Sequence, residues 1–131
     1  MNSTIESIYH QLGTYALAYA ERLNGKLLIY AEIEEGVISA DMFYHEGSRK
    51  VVRFRFCPKE IREFIKDLWK EWQKVTGNKE WNGMIFILEN TNFNIEYIYP
   101  DQMIEDGGLH DRRDRVVTDH FGNADIDYSS P

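Results

Sequence analysis

Two strand-like segments of this chain are separated by only two residues. Leu27–Glu34 and Val37–Tyr44 flank Glu35-Gly36, the spacing of a β-hairpin closed by a two-residue turn. Side chains of a strand point alternately to opposite faces, so Leu27, Ile29, Ala31 and Ile33 share one face. After a turn at His45-Glu46-Gly47-Ser48, Lys50–Phe56 alternates apolar and polar residues. Val52, Phe54 and Phe56 are expected to point inward, and Arg53 and Arg55 outward. Connections this short force neighbouring strands to run antiparallel.

Helical periodicity brackets this meander. Ile5, Ile8, Leu12, Tyr15, Ala16, Tyr19 and Leu23 recur at helical spacing. Ser3 and Glu6 have capping-box spacing at the start, and Asn24-Gly25 is the expected stop. A second helix opens after Pro58, which suits a first helical turn. Its buried stripe is Ile61, Phe64, Ile65, Leu68, Trp72 and Val75, and Gly77 is its expected end. Arg62, Lys66, Lys70 and Lys74 form an outer row beside Glu63, Asp67 and Glu71; each pairing is worth only about 0.2–0.5 kcal/mol. Trp81 leads into a strand over Met84–Leu88. A turn at Glu89-Asn90-Thr91-Asn92 precedes another strand, in which Phe93, Ile95, Tyr97 and Tyr99 alternate with Asn94, Glu96 and Ile98 up to Pro100. Asp101–Leu109 reads as a loop and His110–Phe121 as a short charged helix. Residues 123–131 carry no basic residue and are expected to fray. The order is α-β-β-β-α-β-β-α. It predicts a single α+β domain over residues 1–131, with helices packed on a mainly antiparallel sheet.

A chain of 131 residues with 43% hydrophobic content can build a core without metal or disulfide support. Cys57 is the sole cysteine, which suits a reducing cytoplasm. No signal-peptide pattern follows Met1, and no apolar run approaches the roughly 20 residues of a membrane span. A pI near 5.1 argues against direct nucleic-acid binding.

No constellation demands catalysis. His110 and His120 near Arg112, Arg113 and Arg115 suggest an RNA-cleaving acid/base pair, yet a solvated mixed-charge helix explains the same residues. His-x-x-x-His and Cys-x-x-Cys spacings do not occur, so neither a metal nor a cofactor is implied. Cys57 precedes a helix start, where a thiol can be activated, but a lone cysteine there suits a buried small residue. Gly107-Gly108 lacks the flanking pattern of a phosphate loop. Trp72 and Trp81 are assigned to the core, with Trp69 left open.

Charge, by contrast, is sorted. Residues 49–79 hold ten Lys/Arg against four Asp/Glu, whereas residues 80–111 hold seven carboxylates and no Lys or Arg. Glu89, Glu96, Asp101, Glu105, Asp106 and Asp111 share the second segment with Tyr97 and Tyr99. These eight residues are the candidate partner-binding set. Carboxylates would steer a basic partner and tyrosines would supply contact area; a merely solubilising surface is the plainer alternative.

The overall pattern resembles the YezG-type family of bacterial immunity proteins. The resemblance is carried by Ile8-Tyr9 in the opening helix, Leu68-Trp69-Lys70-Glu71, and Trp81 before an apolar strand. Phe93-Asn94-Ile95-Glu96-Tyr97-Ile98-Tyr99 followed by Asp101, and then Arg112-Arg113, complete it. Val116-Val117 departs from it, standing where the family would place an aromatic residue. The resemblance implies a cytoplasmic antitoxin that neutralises a cognate secreted toxin, often a nuclease, with no cofactor and no catalytic residue. Two other readings remain: a secretion chaperone of the type III class acting as a dimer on an unfolded effector, and a small hydrolase or nuclease built on His110 and His120.

Overall fold

The computed structural model describes residues 3–20, 22–47, 51–75, 77–90, 92–102, 108–122 and 124–128. The elements are α1 (Ser3–Tyr19), β1 (Leu23–Glu34), β2 (Val37–Glu46), β3 (Val51–Phe56), α2 (Lys59–Lys74), β4 (Gly83–Glu89), β5 (Asn92–Ile98), a 3-10 turn (Pro100–Gln102), α3 (Leu109–Phe121) and β6 (Asp125–Asp127). Six strands form one sheet in the order β5-β4-β1-β2-β3-β6.

β1 is central and buried on both sides. Leu27, Leu28, Ile29, Tyr30 and Ala31 are at most 1% exposed, which explains a continuous apolar run where a one-sided strand would alternate. Leu27, Ile29, Ala31 and Ile33 face α1 and α2, as their shared parity predicts. α1 contributes Ile5, Ile8, Leu12 and Ala16 to that layer; α2 contributes Ile61, Ile65 and Leu68. Leu28 and Tyr30 face the other way and meet Phe43, Val52, Phe54, Ile85 and Val117 beneath α3. The sheet thus has helices on both faces.

Local chemistry accounts for the joints. Glu35 and Gly36 both have positive φ, 53° and 78°, as a two-residue hairpin turn requires. α1 stops at Tyr19, and Asn24-Gly25 falls inside β1 at a register shift between Leu23 and Leu27. Gly25 adopts φ 131°, and a Cβ there would lie 2.5 Å from the His45 ring. Helical spacing therefore overran by one turn. α2 likewise ends before Gly77, with Val75 as its C-cap.

Two expectations need correction. The sheet is mainly antiparallel, as expected, but β6, absent from the expected order, follows α3 and pairs parallel to β3, which makes the sheet mixed. Part of the tail expected to fray is that strand, held where Arg53 meets Asp127 at 2.7 Å. Arg53 therefore serves an internal ion pair instead of a basic surface. The Ser3 side chain proposed as a cap lies outside the described residues.

Candidate partner interface

The candidate set divides across the sheet. In β5, Phe93, Ile95 and Tyr97 pack toward the α1/α2 layer, while Glu96 is exposed on the opposite face, across from Ile85. Glu89, at the end of β4 opposite Asn92, shares the parity of Ile85 and hence that face. β5 is the outer strand and pairs only with β4 among the described strands. Asn92, Asn94, Glu96 and Glu89 therefore line a polar, acidic edge beside α3. Its charge reaches α3: Glu96 acts on His120, whose pKa is nevertheless lowered, first by burial and then by the nearby Lys26 ammonium.

Tyr97 belongs to the core layer. Its ring stacks on Trp81 at 5.0 Å and lies 4.6 Å from Trp72. Its hydroxyl hydrogen-bonds to that of Tyr9. Burial, then this hydrogen bond, pushes its pKa far above the ordinary phenol range. Trp81 is fully buried, as assigned. Trp72 is half-buried and donates to the Lys79 carbonyl at 2.9 Å; Trp69 donates to the Trp81 carbonyl at 2.9 Å. Both indoles therefore pin the connection into β4, which answers the question left open for Trp69.

The remaining members have individual roles. Asp101 is exposed and pairs with Lys79 at 3.5 Å, so a base does reach the acidic segment from upstream. The same ammonium lies over the Tyr99 ring, 5.6 Å from its centroid. Asp111 accepts a hydrogen bond from the Gly108 N–H at 3.2 Å and thereby caps α3. Glu105 and Asp106 lie outside the described residues.

The arginine pair is committed internally. Arg112 forks onto Glu32, its Nε and Nη2 each donating at 2.8 Å, and Tyr30 donates its hydroxyl proton to the same carboxylate. Arg113 is 7% exposed and donates to Asp41 at 2.9 Å. The Phe43 and Phe54 rings flank its guanidinium at 5.6 and 5.5 Å. Burial works against the Arg113 charge, but Asp41 and Asp114 outweigh it and the pKa is raised. Both arginines thus clamp α3 to the sheet.

The histidines occupy separate surroundings. His110 and His120 stand at opposite ends of α3, about 15 Å apart along its axis by helical rise. His45 accepts from the Lys26 N–H at 3.0 Å, and His10 packs edge-on against Phe93. Among the described residues no three His, Cys, Asp or Glu side chains group as metal ligands. No helix is long and apolar enough to cross a membrane. Cys57 is buried, and burial, then the Asp41 charge, pushes its thiol pKa far up.

No protein-family model matches the chain, and no curated protein matches it in sequence.

Sequence reasoning missed one place. Phe56 has the inward parity expected of it, yet is 74% exposed. It stands beside Asp41, Arg113, Arg62 and His110 around a cavity of about 420 Å³. Only strand register, which brings Phe56 opposite Asp41, could have signalled this.

Proposed function

We propose that the protein is an immunity protein that binds the folded domain of a cognate bacterial toxin in the cytoplasm, the toxin being a basic nuclease. The observation that carries this reading is the acidic edge: Glu96 exposed on the outermost strand, Glu89 on the same face, and Asp101 exposed in the turn that follows. In a chain of net charge −7, this edge matches the basic groove with which a nuclease holds phosphate. A preorganised edge on a folded sheet binds without a large ordering entropy, so nanomolar affinity is attainable at an ordinary interface of ~1,600 Å². The resemblance in residue pattern to the YezG-type immunity proteins supports the same reading.

On this reading the chain has no catalytic role, and it acts by occupying the toxin. Of the described members of the partner-binding set, Glu89, Glu96, Tyr99 and Asp101 are the direct contacts, and Glu105 and Asp106 stay in the set. Tyr97 and Asp111 act indirectly, the first by holding β5 against α1 and α2, the second by capping α3.

The test is co-expression with the C-terminal toxin domain encoded by the adjacent gene. Cells should survive only with this protein present, and calorimetry on the purified pair should give a tight, one-to-one complex. Glu96→Lys with Asp101→Lys should slow association and flatten its salt dependence. A toxin domain that is neither bound nor neutralised refutes the reading. Binding only to an unfolded effector segment, by a dimer, establishes the chaperone instead. RNA hydrolysis lost in His110→Ala or His120→Ala establishes the enzyme.

A further inference from the structure

β2 outruns its neighbour. β3 ends at Phe56, opposite Asp41, while β2 continues to Val37. The sheet therefore has a notch at this end, and the cavity of about 420 Å³ lies in it. Ile38, Ala40 and Cys57 line it from the α1/α2 layer. Ser39, Asp41 and Phe56 line it from the other face, where α3 begins with Leu109 and His110.

Two properties of the notch point to a ligand. The first is its apolar shelf. Phe56, which lines the notch, is 74% exposed and has the parity of the face that α3 covers elsewhere. The Phe56 ring packs on Phe54 at 4.9 Å, and Tyr128, also exposed, packs on Phe54 at 5.1 Å. Such a shelf costs solubility unless something covers it. The second is its charge. Arg62, His110 and Arg113 line the notch, against a single carboxylate, Asp41, already engaged by Arg113. Arg62 is exposed and has no ion-pair partner among the described residues. An uncompensated guanidinium beside an exposed aromatic ring is the composition of an interface hot spot, and the planar fork suits a carboxylate.

We propose that the notch is a second docking site, which receives an acidic side chain of a partner protein. Arg62 and the His110 imidazole hold the carboxylate, and Phe56 covers an apolar residue next to it. A polyphosphate occupant is disfavoured by the acidity of the whole chain, and a single carboxylate meets far less of that repulsion. The proposal depends on the partner-binding reading only for the source of the carboxylate.

The test separates the two. The ¹⁵N-labelled protein is titrated with acetyl-Asp-Phe-amide and, as control, with acetyl-Asn-Phe-amide. Saturable shifts should centre on the amides of Ser39, Cys57, Arg62 and His110, and the neutral peptide should bind about tenfold or more weakly. Arg62→Glu should abolish the shifts and Phe56→Ser should weaken them. Lys70→Glu, on the same helical row, should leave them unchanged; all three side chains are exposed, so the fold is preserved. Absence of saturable shifts, equal binding of both peptides, or indifference to Arg62→Glu overturns the proposal. So does a dimer that Phe56→Ser dissociates, because the occupant is then a second copy. With the toxin domain, Arg62→Glu should shorten the lifetime of the complex about tenfold or more. An unchanged lifetime removes the notch from the interface while leaving the immunity reading intact. A toxin that fails to bind the unmodified protein refutes immunity alone, and the peptide then decides the notch.

Discussion

Asp41→Ala should be among the most damaging single substitutions in the protein. Asp41 is 9% exposed, and its carboxylate accepts a hydrogen bond from the Arg113 guanidinium at 2.9 Å. Removing one member of such a pair leaves an uncompensated buried charge, at about 3–5 kcal/mol. The lower end applies here, because three groups still hold the guanidinium. Asp114 pairs with Nε at 3.3 Å, and the Phe43 and Phe54 rings flank the cation. A loss of about 3 kcal/mol is a large share of the roughly 5–15 kcal/mol that stabilises a domain. With an unfolding entropy near 2.1 cal/mol/K per residue, it lowers Tm by about 11 °C for 131 residues. Asp41→Leu combined with Arg113→Met should recover most of the loss, since apolar replacement of a buried pair is often neutral or better. Urea and thermal denaturation followed by tryptophan fluorescence measure the free-energy and Tm changes, because Trp69, Trp72 and Trp81 belong to the opposite layer and report without being perturbed. A single-substitution cost below about 1 kcal/mol, the value of an exposed pair, refutes the claim that this contact is buried and holds α3.

Tyr97→Phe keeps the stack on Trp81 and Trp72 but loses the hydroxyl contact to Tyr9; stability should fall by about 1 kcal/mol in the same denaturation assay, with toxin affinity unchanged. The depressed pKa of His120 favours its neutral form in the fold. That contribution to stability is complete above the unfolded value of 6.5 and is lost as pH falls through the folded pKa, so His120→Gln should flatten the acid limb of a Tm–pH profile. Cys57 is buried with a raised pKa. Its labelling by a thiol reagent should therefore track global unfolding in urea, and fast labelling of the native protein would contradict its placement.

Element order was legible because each element writes its own period. The stripe Ile61, Ile65, Leu68 and the alternation of Phe93, Ile95 and Tyr97 need no distant contact to be recognised. β6 was illegible for the opposite reason. Asp125-Ile126-Asp127 offers one apolar residue between two carboxylates, and pairing with Val51–Arg53, with the Arg53–Asp127 contact 74 residues apart, makes it a strand. The binding set suffered similarly. Its alternation put Tyr97 and Glu96 on opposite faces, but nothing local says which face meets helices and which meets solvent. Arg112 and Arg113 looked like surface charge because Glu32 and Asp41 are 80 and 72 residues away.

The two sides of the sheet should also come apart at different times. The α1/α2 side is joined by many fully buried apolar residues, whereas α3 meets the sheet through one buried aliphatic, Val117, the half-buried Leu109, Val116 and Phe121, and two arginine clamps. In amide hydrogen exchange α3 and β6 should open as a cooperative unit before β1 and β4 exchange. Each opening uncovers Leu28, Phe43, Val52 and Phe54, a sticky surface that self-associates when concentrated. The arginines therefore limit aggregation: loosening either clamp should shorten shelf life well before it lowers the amount of folded protein.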